Sequence, residues 1–145
     1  MGISEPREAP AGFTPMPPLS PALETFGPVY MHGAGTDRRF GMFVLRKHCN
    51  MRSKVHGGFL ATLADIALSF TLGHLTDPAS GFVTVSLNLD YAGNADEGDW
   101  LETRTDVQRR GRTLAFANCY IWRGDTRIVR ASGVFMATGK TYSSD

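Results

Sequence analysis

The residues whose types and spacing could carry out chemistry lie in the middle of the chain. This segment begins at Asn50, continues through His56-Gly57-Gly58 and ends at Asp65. Asp65 is the only charged residue between His56 and Asp77, and its neighbours are apolar. A carboxylate in such surroundings loses its hydration at a large cost in free energy unless it is paired or functional. We therefore expect Asp65 to act as a general base or a nucleophile. The alternative is an acid that reaches solvent or caps nearby backbone.

The two glycines after His56 stand where a long helix is predicted to begin. From Gly57 to about Leu75 nearly every residue is apolar, and good helix formers occur throughout. The first turn of a helix carries backbone N–H groups without intrahelical acceptors, at the positive end of the helix dipole. A glycine there lets a ligand oxygen approach the N–H closely. The Gly57 amide is therefore a candidate oxyanion donor, unless the two glycines only form a tight turn.

The segments around this helix have the patterns of β-strands. Alternation with a period of two, together with turn glycines, predicts strands at about 29–33, 39–48, 83–91, 100–108, 112–122 and 127–138. A helix that is apolar on nearly every side is buried on every side. We therefore expect an α+β fold, in which an antiparallel sheet of five or six strands wraps around one long central helix. The last four strands should follow one another as a meander of hairpins.

Length and composition place these elements in one domain. The chain has 145 residues, and seven of its eight prolines lie in the first 28. This distribution predicts a proline-rich flexible tail over residues 1–25 and a single domain over residues 26–145. The net charge of +1 argues against nucleic acid or an anionic membrane as a partner. The low cysteine count and the lack of an apolar stretch near Met1 lead us to expect a cytoplasmic protein.

Two common kinds of catalytic site are not indicated by the sequence. The four histidines, at positions 32, 48, 56 and 74, show no spacing typical of a metal site, so we expect no metal and no cofactor. The nucleophile motif of serine hydrolases, Gly-x-Ser-x-Gly, does not occur. Cys49 and Cys119 are better explained as small core residues than as nucleophiles.

The order and spacing of these residues resemble the hotdog-fold acyl-CoA thioesterases, in particular the branch named for phenylacetate degradation. The pattern combines Asn50, His56-Gly57-Gly58 and Asp65 with later segments at 85–91 and 111–116. The resemblance extends from about Phe26 to Thr138. It implies the hotdog fold, a long helix wrapped by an antiparallel sheet, and hydrolysis of an acyl-CoA thioester to a carboxylic acid and CoA.

The resemblance also implies roles for single residues. Asp65 matches the catalytic acid, Gly57 the amide that polarises the thioester carbonyl, and His56 and Asn50 the support on the carbonyl side. Thr84 falls where some members place a hydroxyl that holds the attacking water. Whether Asp65 deprotonates water or attacks the carbonyl itself stays open. Two alternatives on the same fold are a module that binds acyl-CoA without hydrolysing it and a dehydratase that acts on hydroxyacyl thioesters.

The spacing of Gly57 and Asp65 predicts that two subunits share the active site. Eight residues of helix correspond to a rise of about 12 Å. One thioester carbon cannot lie within about 3 Å of groups that far apart on one helix. We therefore expect a homodimer in which each subunit contributes one of the two groups. Hotdog dimers often pair again, so the resemblance also allows a tetramer built as a dimer of dimers.

The densest basic cluster of the chain predicts where CoA binds. Arg110 and Arg112 flank a turn glycine, and guanidinium groups form paired, charge-assisted hydrogen bonds with phosphates. We assign these two arginines, together with Gly58, to CoA binding. The alternative is a solvated hairpin tip whose arginines pair with nearby acids or with water.

Overall fold

A computed structural model describes residues 7–74 and 81–138 of the chain. Over these residues there are two α-helices, α1 (Pro21–Phe26) and α2 (Gly57–His74). The strands are β1 (Thr14–Pro15), β2 (Tyr30–His32), β3 (Arg39–Phe43), β4 (Phe82–Tyr91), β5 (Trp100–Arg110), β6 (Leu114–Arg123) and β7 (Thr126–Ala137). They form a seven-stranded antiparallel sheet in the order β1-β2-β3-β5-β6-β7-β4.

Helix α2 lies in the curve of the sheet and forms the centre of the hydrophobic core. It contacts β3, β4, β5, β6 and β7, and its side chains Leu63, Leu68 and Leu72 are fully buried. The predicted hotdog fold, an antiparallel sheet wrapped around one long helix, is confirmed. The sheet has seven strands rather than five or six, because the two-residue β1 adds to the predicted set. None of the helices in the described part of the chain has the length and apolar character needed to cross a membrane.

One face of α2 is left open by the sheet. Gly58, Thr62, Asp65 and Ser69 recur at spacings of three and four residues and are half-buried or exposed. Residues at these spacings share one side of a helix. The expectation that α2 is buried on every side therefore fails on this face, which carries the acid.

Strand β4 lies at an edge of the sheet and pairs with β7. The predicted meander is wrong at this point, because β4 does not form a hairpin with β5. The connection between β4 and β5 contacts β7 and the residues just before α2. The Ala92 N–H donates to the carbonyl of Ile128 in β7 at 2.8 Å, and the Ala95 carbonyl accepts from the N–H of Val55, before α2, at 2.9 Å. Strand β5 therefore starts beside β3, in the middle of the sheet, and is separated from β4 by β6 and β7.

A β-bulge interrupts β4 between Thr84 and Ser86. In an unbroken strand, Thr84 and Tyr91 would point to opposite faces, because they are an odd number of residues apart. In the structure both contact α2, Thr84 through Asp65 and Tyr91 through Gly57. The extra residue of the bulge shifts the alternation by one position. The regular pattern of the sequence therefore assigns Thr84 to the wrong face.

The proline-rich segment packs against the domain over residues 14–25, where the sequence predicts a flexible tail. Strand β1 pairs with β2, and Met16 is buried. Helix α1 is capped by Ser20, whose Oγ accepts from the Leu23 N–H at 3.1 Å, and Pro21 occupies its first turn. A serine cap followed by proline is a common start for a helix. Residues 14–25 therefore lack several backbone donors because of their prolines. The helix cap and the burial of Met16 nevertheless hold the segment against the domain.

Candidate active site

Asp65 lies on the open face of α2, opposite the first half of β4. The Thr84 hydroxyl donates a hydrogen bond to Asp65 Oδ1 at 2.7 Å. Among the described residues, no hydrogen-bond donor contacts Oδ2 of this carboxylate. Asp65 is half-buried rather than enclosed, so the apolar sequence around it overstates its burial within one chain. The carboxylate is thus fixed through one oxygen and presents the other to the open face.

An apolar groove with a volume of about 340 Å³ opens beside Asp65, between α1 and α2. Its walls include Leu23 and Phe26 of α1 and Ile66 and Phe70 of α2. A carboxylate at the edge of an apolar groove can meet a reactive group that is attached to an apolar substituent.

The start of α2 presents a backbone donor, the Gly57 N–H. No acceptor for this N–H lies within hydrogen-bond range among the described residues. The Tyr91 hydroxyl donates to the Gly57 carbonyl at 2.9 Å. A Cβ atom added at Gly57 would lie 3.3 Å from the Tyr91 ring, a close contact. Glycine therefore suits this position, and the helix dipole makes it favourable for a developing negative charge.

His56 caps the start of α2. Its Nδ1 accepts from the Gly58 N–H at 3.2 Å, and its carbonyl accepts from the Phe59 N–H at 2.9 Å. Because Nδ1 is an acceptor, the ring proton of the neutral form resides on Nε2. The exposed imidazole can then donate from Nε2 to a ligand while it supports the helix start.

Asn50 holds the turn before α2. Its Oδ1 accepts from the Arg52 N–H at 2.9 Å and from the Lys54 N–H at 3.3 Å. Asn50 and His56 line the same surface cleft, which has a volume of about 380 Å³. The structure thus brings together the two residues for which the family resemblance implies a role on the carbonyl side.

The candidate residues form two separate groups on one chain. Asp65 lies with Thr84, whereas Gly57 lies with His56 and Asn50 at the start of α2. Along the helix axis the two groups are about 12 Å apart. A thioester carbon near Asp65 is therefore out of reach of the Gly57 N–H of the same chain.

The predicted CoA ligands are also divided. The guanidinium of Arg110 lies 5.0 Å from the centre of the Phe82 ring, and Arg110 is half-buried, whereas Arg112 is exposed. Phe82 and Tyr91 are opposite ends of β4, and Gly58 lies near the Tyr91 end. One chain therefore does not place Gly58 beside the two arginines.

Neither cysteine is suited to nucleophilic attack. Burial raises the pKa of the Cys119 thiol to about 12. Partial burial is the main cause that raises the pKa of the Cys49 thiol, and the nearby carboxylates of Glu97 and Asp96 raise it further. The reactive form of cysteine is the thiolate, which a raised pKa disfavours. Over residues 7–74 and 81–138, no cluster of three His, Cys, Asp or Glu side chains could hold a metal ion.

Two parts of the site are not indicated by the sequence. Tyr91 supports the start of α2. A regular alternation along β4 would place it on the opposite face from Thr84, so the sequence does not predict that both residues contact α2. The groove wall formed by α1 is not predicted, because the surrounding prolines are typical of an extended tail. Ser20-Pro21 is nevertheless a signal for a helix start. Leu23 and Phe26, spaced by three residues, would then mark one apolar face of a short helix.

The chain is similar to known proteins over most of its length. The profile of the thioesterase superfamily matches residues 53–130. A candidate esterase of Pseudomonas aeruginosa is 39% identical over 127 residues, which cover 87% of this chain and 95% of that protein. Acyl-coenzyme A thioesterase 13 of Mus musculus is 30% identical over 92 residues, 63% of this chain and 65% of that protein.

A solved structure shares the fold at lower sequence identity. It is an Escherichia coli protein from the phenylacetic acid degradation operon, with a TM-score of 0.76 and 18% identity. The matched region covers 86% of this chain and 88% of that one. At this identity the likeness concerns the arrangement of the sheet and helix.

Proposed function

We propose that this chain, which belongs to the thioesterase superfamily, hydrolyses an acyl-CoA thioester to a carboxylic acid and CoA. Water adds its oxygen to the carbonyl carbon, the carbon–sulfur bond breaks, and the sulfur leaves with a proton as the CoA thiol. The observation that carries the proposal is the Thr84–Asp65 hydrogen bond at the edge of an apolar groove. The name of the mouse relative supports CoA as the carrier of the acyl group.

In this proposal Asp65 is the base or the nucleophile. The hydrogen bond from Thr84 restrains Oδ1 and leaves Oδ2 as the oxygen that acts on the substrate. As a base, Oδ2 takes a proton from water while the water oxygen attacks. As a nucleophile, it forms a mixed anhydride, which water then cleaves. Because the Thr84 hydroxyl proton is used on Asp65, the oxygen of Thr84 can accept a hydrogen bond from the attacking water.

The second group of the site comes from a second subunit. The Gly57 N–H of one subunit would donate to the carbonyl oxygen of a thioester held at Asp65 of the other, which stabilises the oxyanion. Two features support a homodimer: the open face of α2 and the outer edge of β4, which pairs with no other strand among the described residues. An exposed edge strand offers a row of backbone groups to a second copy. Val83 and Val85 on this strand are exposed at 38% and 56%, which favours a covered interface. Such dimers can pair again into tetramers.

His56 and Asn50 would support the carbonyl side of this shared site. His56 caps the helix whose first N–H is the oxyanion donor, and its Nε2 carries the ring proton of the neutral form. Asn50 fixes the turn that leads into the helix. Both residues then act mainly by holding the Gly57 amide in place.

CoA phosphates would bind at the hairpin between β5 and β6. Arg112 is exposed and able to reach a phosphate, while Arg110 is steadied by the Phe82 ring. Gly58 of the partner subunit, exposed at the helix start, would leave room for the pantetheine arm. Both cysteines are free, which is consistent with a cytoplasmic setting for the reaction.

The test is release of free thiol from a panel of acyl-CoA esters, with Asp65→Asn and Asp125→Asn as matched variants. Asp125 lies in the exposed turn between β6 and β7, so its substitution removes a carboxylate away from the site. We expect thiol release from the native chain and from Asp125→Asn, and a loss of about 10²–10⁴-fold in Asp65→Asn. Binding of acyl-CoA without thiol release would instead identify a binding module. A hydroxyacyl-CoA in the panel tests the dehydratase, which would convert it to an enoyl thioester and water.

A further inference from the structure

We infer that the groove between α1 and α2 binds the acyl group, and that α1 determines which acyl groups fit. The acyl group would be uncharged and apolar, either an aliphatic chain of medium length or an aromatic acyl group. This inference rests on the proposed function, because it assigns Asp65 to the thioester and the groove to the substituent on its carbonyl carbon.

The chemistry of the groove walls sets the class of acyl group. The walls are formed by side chains of Leu19, Leu23, Phe26, Ile66 and Phe70, together with smaller residues. Asp65 is the only charged residue among them. An acyl group with a second carboxylate would lose hydration in this groove and find no cation to pair with. An apolar acyl group would instead remove both its own surface and the groove walls from water.

The groove is open to solvent on one side, so its volume gives the size of the acyl portion that it can enclose and no upper limit on length. At about 30 Å³ for each water-sized group, a groove of about 340 Å³ holds roughly ten heavy atoms. This corresponds to an acyl chain of roughly six to ten carbons or to one aromatic ring with a short linker. An acetyl group would leave most of the walls uncovered.

Helix α1 is fixed well enough to act as a wall. The Lys47 ammonium donates to the Thr25 carbonyl at 2.8 Å, and His48 Nε2 donates to the Phe26 carbonyl at 2.6 Å. The Phe26 ring also stacks on Phe59, with ring centroids 5.6 Å apart. These contacts anchor the C-terminal end of α1 beside α2, so the distance between the walls is set by the fold.

The rim of the groove carries an apolar side chain in water. Leu19, just before α1, is 62% exposed and also lines the groove. A bound acyl chain would cover it together with the half-buried Leu23. Each buried methylene increases affinity by about fourfold, so residues at this rim can separate long acyl groups from short ones.

The test fills the groove from α1 with Ala22→Trp. Ala22 is exposed and lines the groove, whereas Glu24 is exposed and lies outside it, so Glu24→Trp is the matched control. For Ala22→Trp we expect kcat/KM on decanoyl-CoA to fall by at least about tenfold, the loss of two buried methylenes. We expect acetyl-CoA to change by less than about twofold, and Glu24→Trp to resemble the native chain on both substrates. Hexanoyl-CoA and phenylacetyl-CoA separate the aliphatic from the aromatic fit.

A binding measurement keeps this inference distinct from the proposed function. S-decyl-CoA is a thioether that cannot be hydrolysed, and its affinity can be measured by calorimetry against S-methyl-CoA. We expect Ala22→Trp to weaken S-decyl-CoA by at least about tenfold and to leave S-methyl-CoA nearly unchanged. That result without any thiol release would support the groove and reject the thioesterase. Equal losses on long and short ligands, or the same losses in Glu24→Trp, would overturn the groove assignment.

Discussion

The two halves of β4 hold α2 by different kinds of contact. Before the bulge, Thr84 binds the side chain of Asp65. After the bulge, Tyr91 binds the backbone of Gly57. A carboxylate is recognisable by residue type, whereas a backbone N–H has the same chemistry at every position and gains a role only from its place in the fold. The comparison teaches that one half of the proposed site depends on residue identity and the other on local geometry.

The largest effect is expected when each half is broken in a different subunit. Asp65→Asn removes the carboxylate at constant volume. Gly57→Pro removes the N–H at the first helix position, where the backbone suits proline, although the added ring also crowds the Tyr91 side chain. Asp65→Asn alone should lose about 10²–10⁴-fold in kcat, and Gly57→Pro alone about 10²–10³-fold. A dimer with one subunit of each kind keeps one site in which both groups are native. Thiol release from co-expressed variants, purified through two different tags, should recover to about half of the native value per dimer. No recovery in such dimers, or full activity in a monomer, would contradict the shared site.

The next effect tests the contact in the first half of β4. Thr84→Val keeps the shape of the side chain and removes the hydroxyl that fixes Asp65. We expect kcat to fall by about tenfold, which corresponds to about 1.4 kcal/mol in the transition state. Thr84→Ser restores a hydroxyl and should recover most of the rate. A rate in Thr84→Val equal to that of the native chain would show that the hydrogen bond has no part in the reaction.

A smaller effect is expected at the Phe82 end of the same half, where Arg110 lies. Replacing both Arg110 and Arg112 with Ala should raise KM for acyl-CoA by about fivefold with little change in kcat, because the phosphates are far from the reacting bond. The effect should shrink at high salt, which screens exposed charges. An acyl-pantetheine ester, which lacks the nucleotide, is the control substrate. An equal rise in KM for this ester would assign the arginines to the fold rather than to CoA.

The second half of β4 should respond less to the loss of its hydrogen bond. Tyr91→Phe keeps the ring against Gly57 and removes the donor to the Gly57 carbonyl. Because the ring still fixes the helix start and the side chain is 52% exposed, we expect kcat to fall by only about two- to threefold. Tyr120 of β6 lies on the opposite face of the sheet from its buried neighbours Cys119 and Ile121, so Tyr120→Phe controls for general effects on the fold. A loss as large as that of Thr84→Val would remove the difference between the two halves.

The smallest effect is on the stability of the fold, and it concerns His48, which contacts the residue just before α2. The His48 carbonyl accepts from the His56 N–H at 2.8 Å. The His48 ring is fully buried, and this burial lowers its pKa below 6.5, although the hydrogen bond to Phe26 opposes the shift. The unfolded chain therefore takes up the proton more readily than the folded chain. The contribution of neutral His48 to the free energy of unfolding is complete above about pH 6.5. It is lost as the pH falls from there toward the lower pKa of the folded state.

The measurement is the melting temperature between about pH 7.5 and pH 5.5, a range that spans the ordinary pKa of histidine. His48→Gln retains a donor for the Phe26 carbonyl and cannot titrate. Its melting temperature should be lower overall and should change less over this range than that of the native chain. Equal slopes for the two proteins would exclude His48 as the source of the acid sensitivity.

The sequence predicts the fold well, whereas the catalytic role of Asp65 stays a prediction. The apolar run after Gly57 predicts α2, and the lone Asp65 within it identifies the carboxylate. The open face of α2 could not be predicted, because burial depends on how far the sheet curls. The pairing of β4 with β7 also depends on contacts far apart in the chain. Helix α1 carries a local signal, Ser20-Pro21, but the surrounding prolines predict a tail.

The bulge in β4 has a consequence for how relatives of this chain should be aligned. A strand repeats every two residues, so one surplus residue acts as a phase shift: positions in step with Tyr91 after the bulge are out of step before it. A relative one residue shorter here would form an unbroken strand, and a hydroxyl six positions before its tyrosine would lie on the same face as that tyrosine. An alignment without a gap would match this hydroxyl to Val85 instead of Thr84. The gap belongs at Val85, and its placement there decides whether two chains carry the same hydroxyl beside the acid.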